Sequence, residues 1–301
     1  MPILRLIPSC KDYLWGGEKL RTDFGIQSDL NPLAEAWILS CHPSGPSLLE
    51  DGDTLQQYID AHPGCLGTNC GKFKQFPVLI KLIDAKDNLS IQVHPSDQYA
   101  LANEGEYGKT EMWYVLDCEP GAYLYYGFSR EVSREEILSR IQDNTLTEIL
   151  NAVPVHKGDT FFIPSGTLHA ICKGIVIAEV QQNSNITYRI YDYGRVGADD
   201  RQRELHVERA LDIVRYAPPI KYDFDGYLAQ CEYFTVDVVS GAFTAAADET
   251  SFVSLLIVDG EGTLSCGGKT IFICKGESFF LPAGSGEFRL EGQVQTLVTR
   301  V

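Results

Sequence analysis

The stretch GDTFFIPSGT at residues 158–167 recurs as GESFFLPAGS at residues 276–285, with like chemistry at most of the ten positions. Each copy begins with Gly and an acidic residue, continues with a short aromatic run, and ends with Pro and a second Gly. This order predicts a turn, a strand and a second tight turn. Such hairpin units build small antiparallel barrels and jelly rolls, so the repeat indicates two related β domains.

A second pair of similar segments extends the repeat upstream. YVLD at 114–117 resembles LIVD at 256–259, and these segments are 142 residues apart, whereas the first pair is 118 apart. The difference of 24 residues is about the size of a helical insertion in the first copy, near residues 131–152. Apolar residues recur there at helical spacing from Ser133 to Leu150, with Ser133 as N-cap and Glu136 as its capping-box partner.

Strand patterns dominate the rest of the chain. Short runs rich in β-branched and aromatic residues, bounded by turn residues, lie at 76–83, 112–116, 160–163 and 175–178. Two further short helices are predicted near residues 54–61 and 205–214. We therefore predict a mostly β protein of two jelly-roll domains, residues 1–218 with the insertion and residues 219–301.

Composition narrows the class of protein. The 301 residues are 44% hydrophobic and 22% charged, as in ordinary globular proteins. The net charge of −16 argues against nucleic acid or an acidic membrane as partner. No signal peptide or membrane-spanning stretch is apparent, and nine cysteines without repeated CxxC spacing favour reduced thiols in the cytoplasm.

Two histidines, a carboxylate and an amide form a candidate metal site. Gln92 and His94 are two residues apart on an extended segment, so their side chains point to one face. Glu111 and His169 each stand at the start of a predicted strand. Imidazole nitrogen and carboxylate oxygen suit Zn²⁺, with Mn²⁺, Fe²⁺ or Co²⁺ as substitutes. Each residue alone is more often structural, but the set predicts a metal site in the first copy, because the repeat aligns His169 with Glu287.

These motifs resemble those of the cupin superfamily and, within it, the class I, metal-dependent mannose-6-phosphate isomerases in their short bacterial form. The resemblance covers most of residues 1–200 and is architectural beyond 220. It is carried by YLWGG (13–17), EAW (35–37), KLIDA (81–85), LSIQVHP (89–95), GKTE (108–111), GTLHA (166–170) and NSNITYR (183–189).

The resemblance implies a catalytic first cupin domain and a degenerate second one without metal ligands. It implies Gln92, His94, Glu111 and His169 as the ligands of one zinc ion per chain, and Arg189 as the active-site arginine. The expected activity is an aldose–ketose isomerisation of carbohydrate metabolism, in which mannose 6-phosphate and fructose 6-phosphate interconvert through a metal-stabilised cis-enediol. The expected partner is a sugar phosphate, with no nucleic acid or membrane.

Other charged residues near the ligands are candidates for proton transfer and phosphate binding. Glu179 interrupts an apolar run and could move the proton, or could be a structural barrel residue paired with an arginine. Lys109 points to the same face as Glu111, and Lys109 or Lys81 could shuttle a proton or contact phosphate, although either could be a solvated strand-edge lysine. Arg189 could stabilise developing oxyanion charge, hold phosphate with two hydrogen bonds, or pair with Asp192 on the surface. The longer family members carry a lysine-containing stretch after this arginine. That lysine has no match in this chain, and Arg195 is a candidate replacement.

Three other functions are compatible with such a site. One is an isomerase of a different or non-phosphorylated sugar, and another is a metal-containing sugar-binding sensor without turnover. A cupin oxygenase is the third, although the amide in the ligand set favours redox-neutral chemistry. Retention of Glu179, Lys109 and Arg189 favours an enzyme over a sensor.

Overall fold

The computed structural model describes residues 3–196 and 202–301 and confirms a mostly β chain. The strands are β1 (Leu4–Leu6), β2 (Ser9–Lys11), β3 (Glu35–Leu39), β4 (Val78–Ala85), β5 (Ile91–Val93), β6 (Glu111–Cys118), β7 (Tyr123–Phe128), β8 (Leu150–Pro154), β9 (Thr160–Ile163), β10 (His169–Ile171), β11 (Ile175–Gln182), β12 (Tyr188–Tyr191), β13 (Ala229–Gln230), β14 (Thr235–Ser240), β15 (Phe243–Ala247), β16 (Val253–Cys266), β17 (Lys269–Cys274), β18 (Ser278–Leu281) and β19 (Gly286–Arg300). The helices are α1 (Lys19–Thr22), α2 (Leu55–Ala61), α3 (Asp97–Asn103), α4 (Arg134–Gln142) and α5 (Val207–Ile213), with 3-10 helices at Thr68–Lys72 and Leu146–Ile149. Within the described ranges, no helix is long and apolar enough to cross a bilayer.

The chain forms two compact units. Unit 1 comprises Met1–Lys11, Glu18–Leu82 and Asp223–Val301, and unit 2 comprises Asp12–Gly17 and Ile83–Tyr222. The chain passes from unit 1 to unit 2 inside β4. The domain division at residues 218 and 219 stays a prediction. Unit 2 ends near it, but the segment Glu18–Leu82 groups with the C-terminal residues rather than with unit 2.

Unit 2 contains a five-stranded antiparallel sheet in the order β12-β5-β10-β7-β8 and a second set of antiparallel strands, β11-β6-β9. One face of the five-stranded sheet is apolar. On it Val93, Ala170 and Tyr188 share a buried cluster with Ile137 of α4 and Leu211 of α5. The two helices therefore cover this face of the sheet. Side chains alternate between the faces of a strand, which leaves the opposite face for polar residues.

The helical insertion is present, but α4 is shorter than predicted. It begins after Ser133, whose hydroxyl accepts a hydrogen bond from the Glu136 amide at 3.1 Å, as expected of an N-cap. It ends at Gln142, two residues before Asn144 adopts a φ of 57°. The Glu136 carboxylate pairs with Arg130 and Arg140. The hydrogen bond from Arg130 is the main reason that the pKa of Glu136 falls to about 2.

The internal repeat is visible in matching hydrogen bonds. The Gly158 amide donates to the Val115 carbonyl at 2.8 Å, and the Gly276 amide donates to the Ile257 carbonyl at 2.8 Å. Both glycines have positive φ values, 93° and 90°, which glycine adopts without strain. The strand after each glycine pairs with its neighbour in the same register, so the turn–strand–turn prediction is confirmed for both copies.

The second copy, in unit 1, fills its interior with apolar side chains. Val253 stands at the position of Glu111, because both face the last residue of the repeated strand, Leu281 and Ile163 respectively. The alignment of His169 with Glu287 stays a prediction. Glu287 is exposed, whereas the following Phe288 is 1% exposed and lies in the core with Val253.

Candidate metal centre

Three of the four predicted ligands converge in unit 2. The ligand atoms of His94, Glu111 and His169 all lie within 4.8 Å of one another, and all three residues are buried. The Nε2 atom of His94 lies 3.5 Å from Glu111 Oε2, and that of His169 lies 3.2 Å from Glu111 Oε1. His94 follows β5, whereas Glu111 begins β6 and His169 begins β10. The fold thus assembles the group from three separate segments, as the sequence predicted.

Backbone contacts fix how the two imidazoles present their nitrogens. Nδ1 of His94 lies 2.9 Å from the Ile186 carbonyl, and Nδ1 of His169 lies 2.9 Å from the Thr167 carbonyl. A carbonyl oxygen only accepts, so each Nδ1 carries the proton and donates. Burial lowers the pKa of His169 to about 4, so its ring is neutral near pH 7. Both Nε2 lone pairs therefore face the Glu111 carboxylate. A cation between these atoms makes the arrangement favourable, so the residues fit a divalent metal ion.

Gln92 lies next to His169 in the sheet. Gln92 on β5 is directly opposite His169 on β10 and opposite Arg189 on β12. Directly opposed residues in antiparallel strands project from the same face. The three side chains therefore form a row on the polar face of the five-stranded sheet, with the Gln92 amide between the His169 imidazole and Arg189.

Lys109 and Glu179 adjoin Glu111, the carboxylate of the candidate metal site. Lys109 Nζ lies 2.9 Å from Glu111 Oε2 and 3.7 Å from Glu179 Oε1, and all three residues are at most 4% exposed. Trp113 donates from Nε1 to Glu179 Oε2 at 3.0 Å and packs edge-on against the His169 ring. Glu179 thus contacts a lysine and an indole. Because Lys109 is buried, it is not a solvated strand-edge lysine.

Arg189 does not form the surface ion pair with Asp192. Its Nε donates to Ser90 Oγ at 3.2 Å, and its Nη1 donates to the Glu204 carbonyl at 3.0 Å. Burial is the main cause that lowers the pKa of Arg189 from its usual value, and nearby Arg203 adds to it. The guanidinium is held by neutral oxygens, which leaves its positive charge uncompensated by direct ion pairing among the described contacts.

Asp192 instead binds two other arginines. Arg203 donates to both of its carboxylate oxygens, at 2.6 and 2.7 Å, and Arg195 Nε donates at 3.2 Å. Burial alone would raise the pKa of Asp192, but the hydrogen bonds from Arg203 and Arg195 keep it below its usual value. With Arg189, three arginines of the described residues lie in this part of unit 2, and Glu204 is close enough to act on Arg189.

Lys81 lies in unit 1, on the first part of β4. Its Nζ is 3.7 Å from Glu35 Oε2 and 5.0 Å from the centre of the Trp37 ring. The residue is 4% exposed, so it too is buried rather than solvated. Its contribution to phosphate binding stays a prediction.

Sequence reasoning missed several residues that support the site. Trp113 was recognised only as part of a strand, Ser90 only as part of a motif, and Arg203 was not considered. Trp113 is directly opposite Glu179 in the β6–β11 register. If the register of β6 and β11 had been predicted, this contact would have followed from it. No local sequence pattern links Arg203 to Asp192.

The fold and the buried residues define a cupin protein with a candidate metal site. The chain matches the family model of the mannose-6-phosphate isomerase cupin domain over residues 225–301 and that of the phosphomannose isomerase type I catalytic domain over residues 3–117. The mannose-6-phosphate isomerase ManA of Bacillus subtilis is 36% identical over 98% of this chain and 97% of its own. The enzyme of Streptococcus mutans is 34% identical over 95% and 94%. A crystal structure of the B. subtilis mannose 6-phosphate isomerase superposes with a TM-score of 0.91 at 35% identity and covers both chains completely. The chain therefore belongs to the type I mannose-6-phosphate isomerase family.

Proposed function

We propose that this chain interconverts mannose 6-phosphate and fructose 6-phosphate by moving a proton between C1 and C2 of the sugar, while a second proton moves between the oxygens of these two carbons. Family membership supports this substrate pair. The observation that carries the proposal is the buried Lys109–Glu179 pair, whose closest atoms are 3.7 Å apart, next to the ligand Glu111. An isomerase of this kind needs a polarised carbonyl and one nearby group that transfers a proton.

The proposed cofactor is one Zn²⁺ per chain, held by Gln92, His94, Glu111 and His169. Two imidazoles, a carboxylate and an amide oxygen suit Zn²⁺, and Mn²⁺, Co²⁺ or Fe²⁺ are the proposed substitutes. When bound, such an ion supplies Lewis-acid polarisation of the sugar carbonyl. The Nδ1 hydrogen bonds of both histidines keep Nε2 available as the donor atom.

Glu179 is the proposed proton-transfer group. Its Oε2 is fixed by the Trp113 indole, and its Oε1 faces Lys109. Lys109 is itself 2.9 Å from Glu111, so it is paired with two carboxylates. We infer that Lys109 positions Glu179 and holds the charge balance of the site while the carboxylate takes up and returns the proton. Burial of both residues excludes water, which would otherwise compete for the proton.

The arginine group of unit 2 is the proposed phosphate site. Arg189 and Arg195 are its members from the sequence prediction, and Arg203 joins them through Asp192. Arg189 uses Nε and Nη1 for Ser90 and Glu204, and its Nη2 donors have no hydrogen bond among the described contacts. A guanidinium of this kind suits the charge and geometry of phosphate oxygens.

A cytoplasmic location is also proposed. It rests on the nine cysteines, all of which are free thiols in the structure. Reduced thiols in this number are usual for proteins of a reducing compartment.

The test is a coupled assay of mannose 6-phosphate turnover in the wild type and in Glu179→Gln. We expect kcat to fall about 10²- to 10⁴-fold, the usual contribution of a proton-transfer group, while elemental analysis finds the metal content unchanged. Glu287→Gln, the same substitution at an exposed position of the second copy, should leave kcat unchanged. Retention of most activity in Glu179→Gln would exclude this residue. Comparison with free mannose tests the phosphate site, since loss of the phosphate should lower kcat/KM at least about 100-fold.

A further inference from the structure

The second cupin copy contains a cavity that the isomerase chemistry does not use. It lies wholly in unit 1 and has a volume of about 230 Å³. Strands β14 and β19 form its floor, and a loop after β15 and the 3-10 helix Thr68–Lys72 form its rim. The lining includes Tyr227, Thr235, Asp237, Phe243, Val298 and Arg300.

The cavity is lined by the strand of the second copy that corresponds to β11 of the first. Val298 is opposite Leu255 on β16, just as Glu179 is opposite Trp113 on β6, and Arg300 follows two residues later, as Gln181 follows Glu179. The interior ligand positions are apolar in this copy, so a metal is not the expected occupant. The mouth of a β-barrel is nevertheless a common place for small ligands.

Polar groups from two neighbouring strands converge on this cavity. Thr235 is directly opposite Arg300, and Asp237 is directly opposite Val298, so all four project from one face of the sheet. Arg300 Nε is shielded from solvent and has no hydrogen-bond partner among the described residues. Asp237 uses one carboxylate oxygen for the Val238 amide, at 2.7 Å. Asp237 and Arg300 both line the cavity, so a ligand there can meet a carboxylate acceptor and a guanidinium donor side by side.

Hydrogen bonds within the protein hold the rim of the cavity in place. The Asn69 amide donates to the Thr250 carbonyl at 2.9 Å, and its side chain donates to the Val301 carbonyl at 2.8 Å. Asp248 Oδ1 accepts from the Thr250 amide at 2.8 Å, which closes the loop after β15 into a tight turn. A preformed rim lowers the entropy lost on binding.

We propose that this cavity binds a neutral polyhydroxylated molecule, such as a free sugar or a sugar alcohol. A hydroxyl both donates and accepts, so neighbouring hydroxyls can satisfy Asp237 and Arg300 together. The charged lining residues Asp237, Asp248 and Arg300 carry a net charge of −1, which disfavours a sugar phosphate. The volume equals that of about eight water molecules, and Tyr227 and Phe243 offer ring surfaces to the C–H groups of such a ligand. This site is independent of the proposed isomerase activity.

The experiment is an NMR titration of the metal-loaded full chain with mannitol, which has no carbonyl and cannot be an isomerase substrate. We expect saturable shifts of the Thr235, Asp237 and Arg300 amides with a Kd in the millimolar range. Inorganic phosphate should not produce them. Absence of saturable shifts, shifts confined to the metal-centre residues 92–189, or the same shifts with phosphate would each overturn the proposal.

Two kinds of variant locate the binding. Thr235→Trp fills the cavity and should weaken mannitol binding at least about tenfold, whereas Thr244→Trp, an exposed position on the same unit outside the lining, should not. Asp237→Asn and Arg300→Gln change little volume and should each weaken binding about three- to tenfold by loss of a charged hydrogen-bonding group. These two variants keep the test decisive if Thr235→Trp does not fold. Unchanged affinity in both would refute the assignment of this cavity.

Discussion

Removal of the metal should lower the melting temperature of unit 2 by about 10 °C. A metal present at 1,000 times its Kd stabilises the folded state by about 4 kcal/mol, and each kcal/mol shifts the melting temperature by about 2–4 °C in a unit of this size. The structure gives the cause. Without a cation, the Nε2 lone pairs of His94 and His169 face the Glu111 carboxylate at 3.5 and 3.2 Å, and this buried contact is unfavourable.

The assay is differential scanning calorimetry of protein treated with a chelator, before and after addition of Zn²⁺. His169→Gln removes one ligand and should make the melting temperature insensitive to chelator. His156→Gln makes the same change on a side chain that is 82% exposed and should behave as wild type. If the wild-type melting temperature is the same with chelator and with Zn²⁺, these residues do not hold a metal, and the account of the site is wrong.

Three further predictions concern separate parts of unit 2. Arg189→Ala should lower kcat about 10²- to 10³-fold, as loss of one electrostatic donor does, and elemental analysis should find the metal content unchanged. A decrease in kcat of less than tenfold would contradict a role of Arg189 in the active site. Ser133→Ala should destabilise the protein by about 1 kcal/mol through loss of the α4 N-cap, measured by urea unfolding, and should leave kcat unaffected. The metal-free protein should lose stability as the pH falls from about 6.5 towards 4. The pKa of His169 is lowered to about 4 in the folded state, so over this range only the unfolded protein binds a proton at this residue. A melting temperature that stays constant over this range, or that falls equally in His169→Gln, would contradict this prediction.

Local sequence patterns were sufficient to predict the strands of the repeat. Residues 160–163 were predicted as a strand and form β9, because Gly158 and Gly166 both need positive φ and so define a turn on either side. The helices near residues 54–61 and 205–214 are confirmed as α2 and α5.

The length of the insertion helix could not be predicted in the same way. Apolar spacing continues through Leu146 and Ile149, and both are buried. They reach the core from a separate 3-10 turn, after the backbone breaks at Asn144. The apolar periodicity predicts which residues are buried. The end of α4, however, depends on the backbone conformation of Asn144, which periodicity does not predict.

The residues of the candidate metal site could be predicted from the sequence, whereas the contacts around them could not. His94, Glu111 and His169 stand in local motifs, and their order along the chain was enough to group them. The contacts of Trp113 with Glu179 and of Arg189 with Ser90 join residues that are 66 and 99 positions apart. Such contacts depend on strand register, which is set by the whole sheet rather than by any one segment.

The passage of the chain out of unit 1 within β4 has a consequence for biosynthesis. Most of unit 2, from Ile83 to Tyr222, lies between two segments of unit 1, Glu18–Leu82 and Asp223–Val301. At translation rates of 5–20 residues per second, the earlier segment waits roughly 10–40 s for the whole of the later one. Chaperone dependence of the nascent chain should therefore be concentrated in Glu18–Leu82.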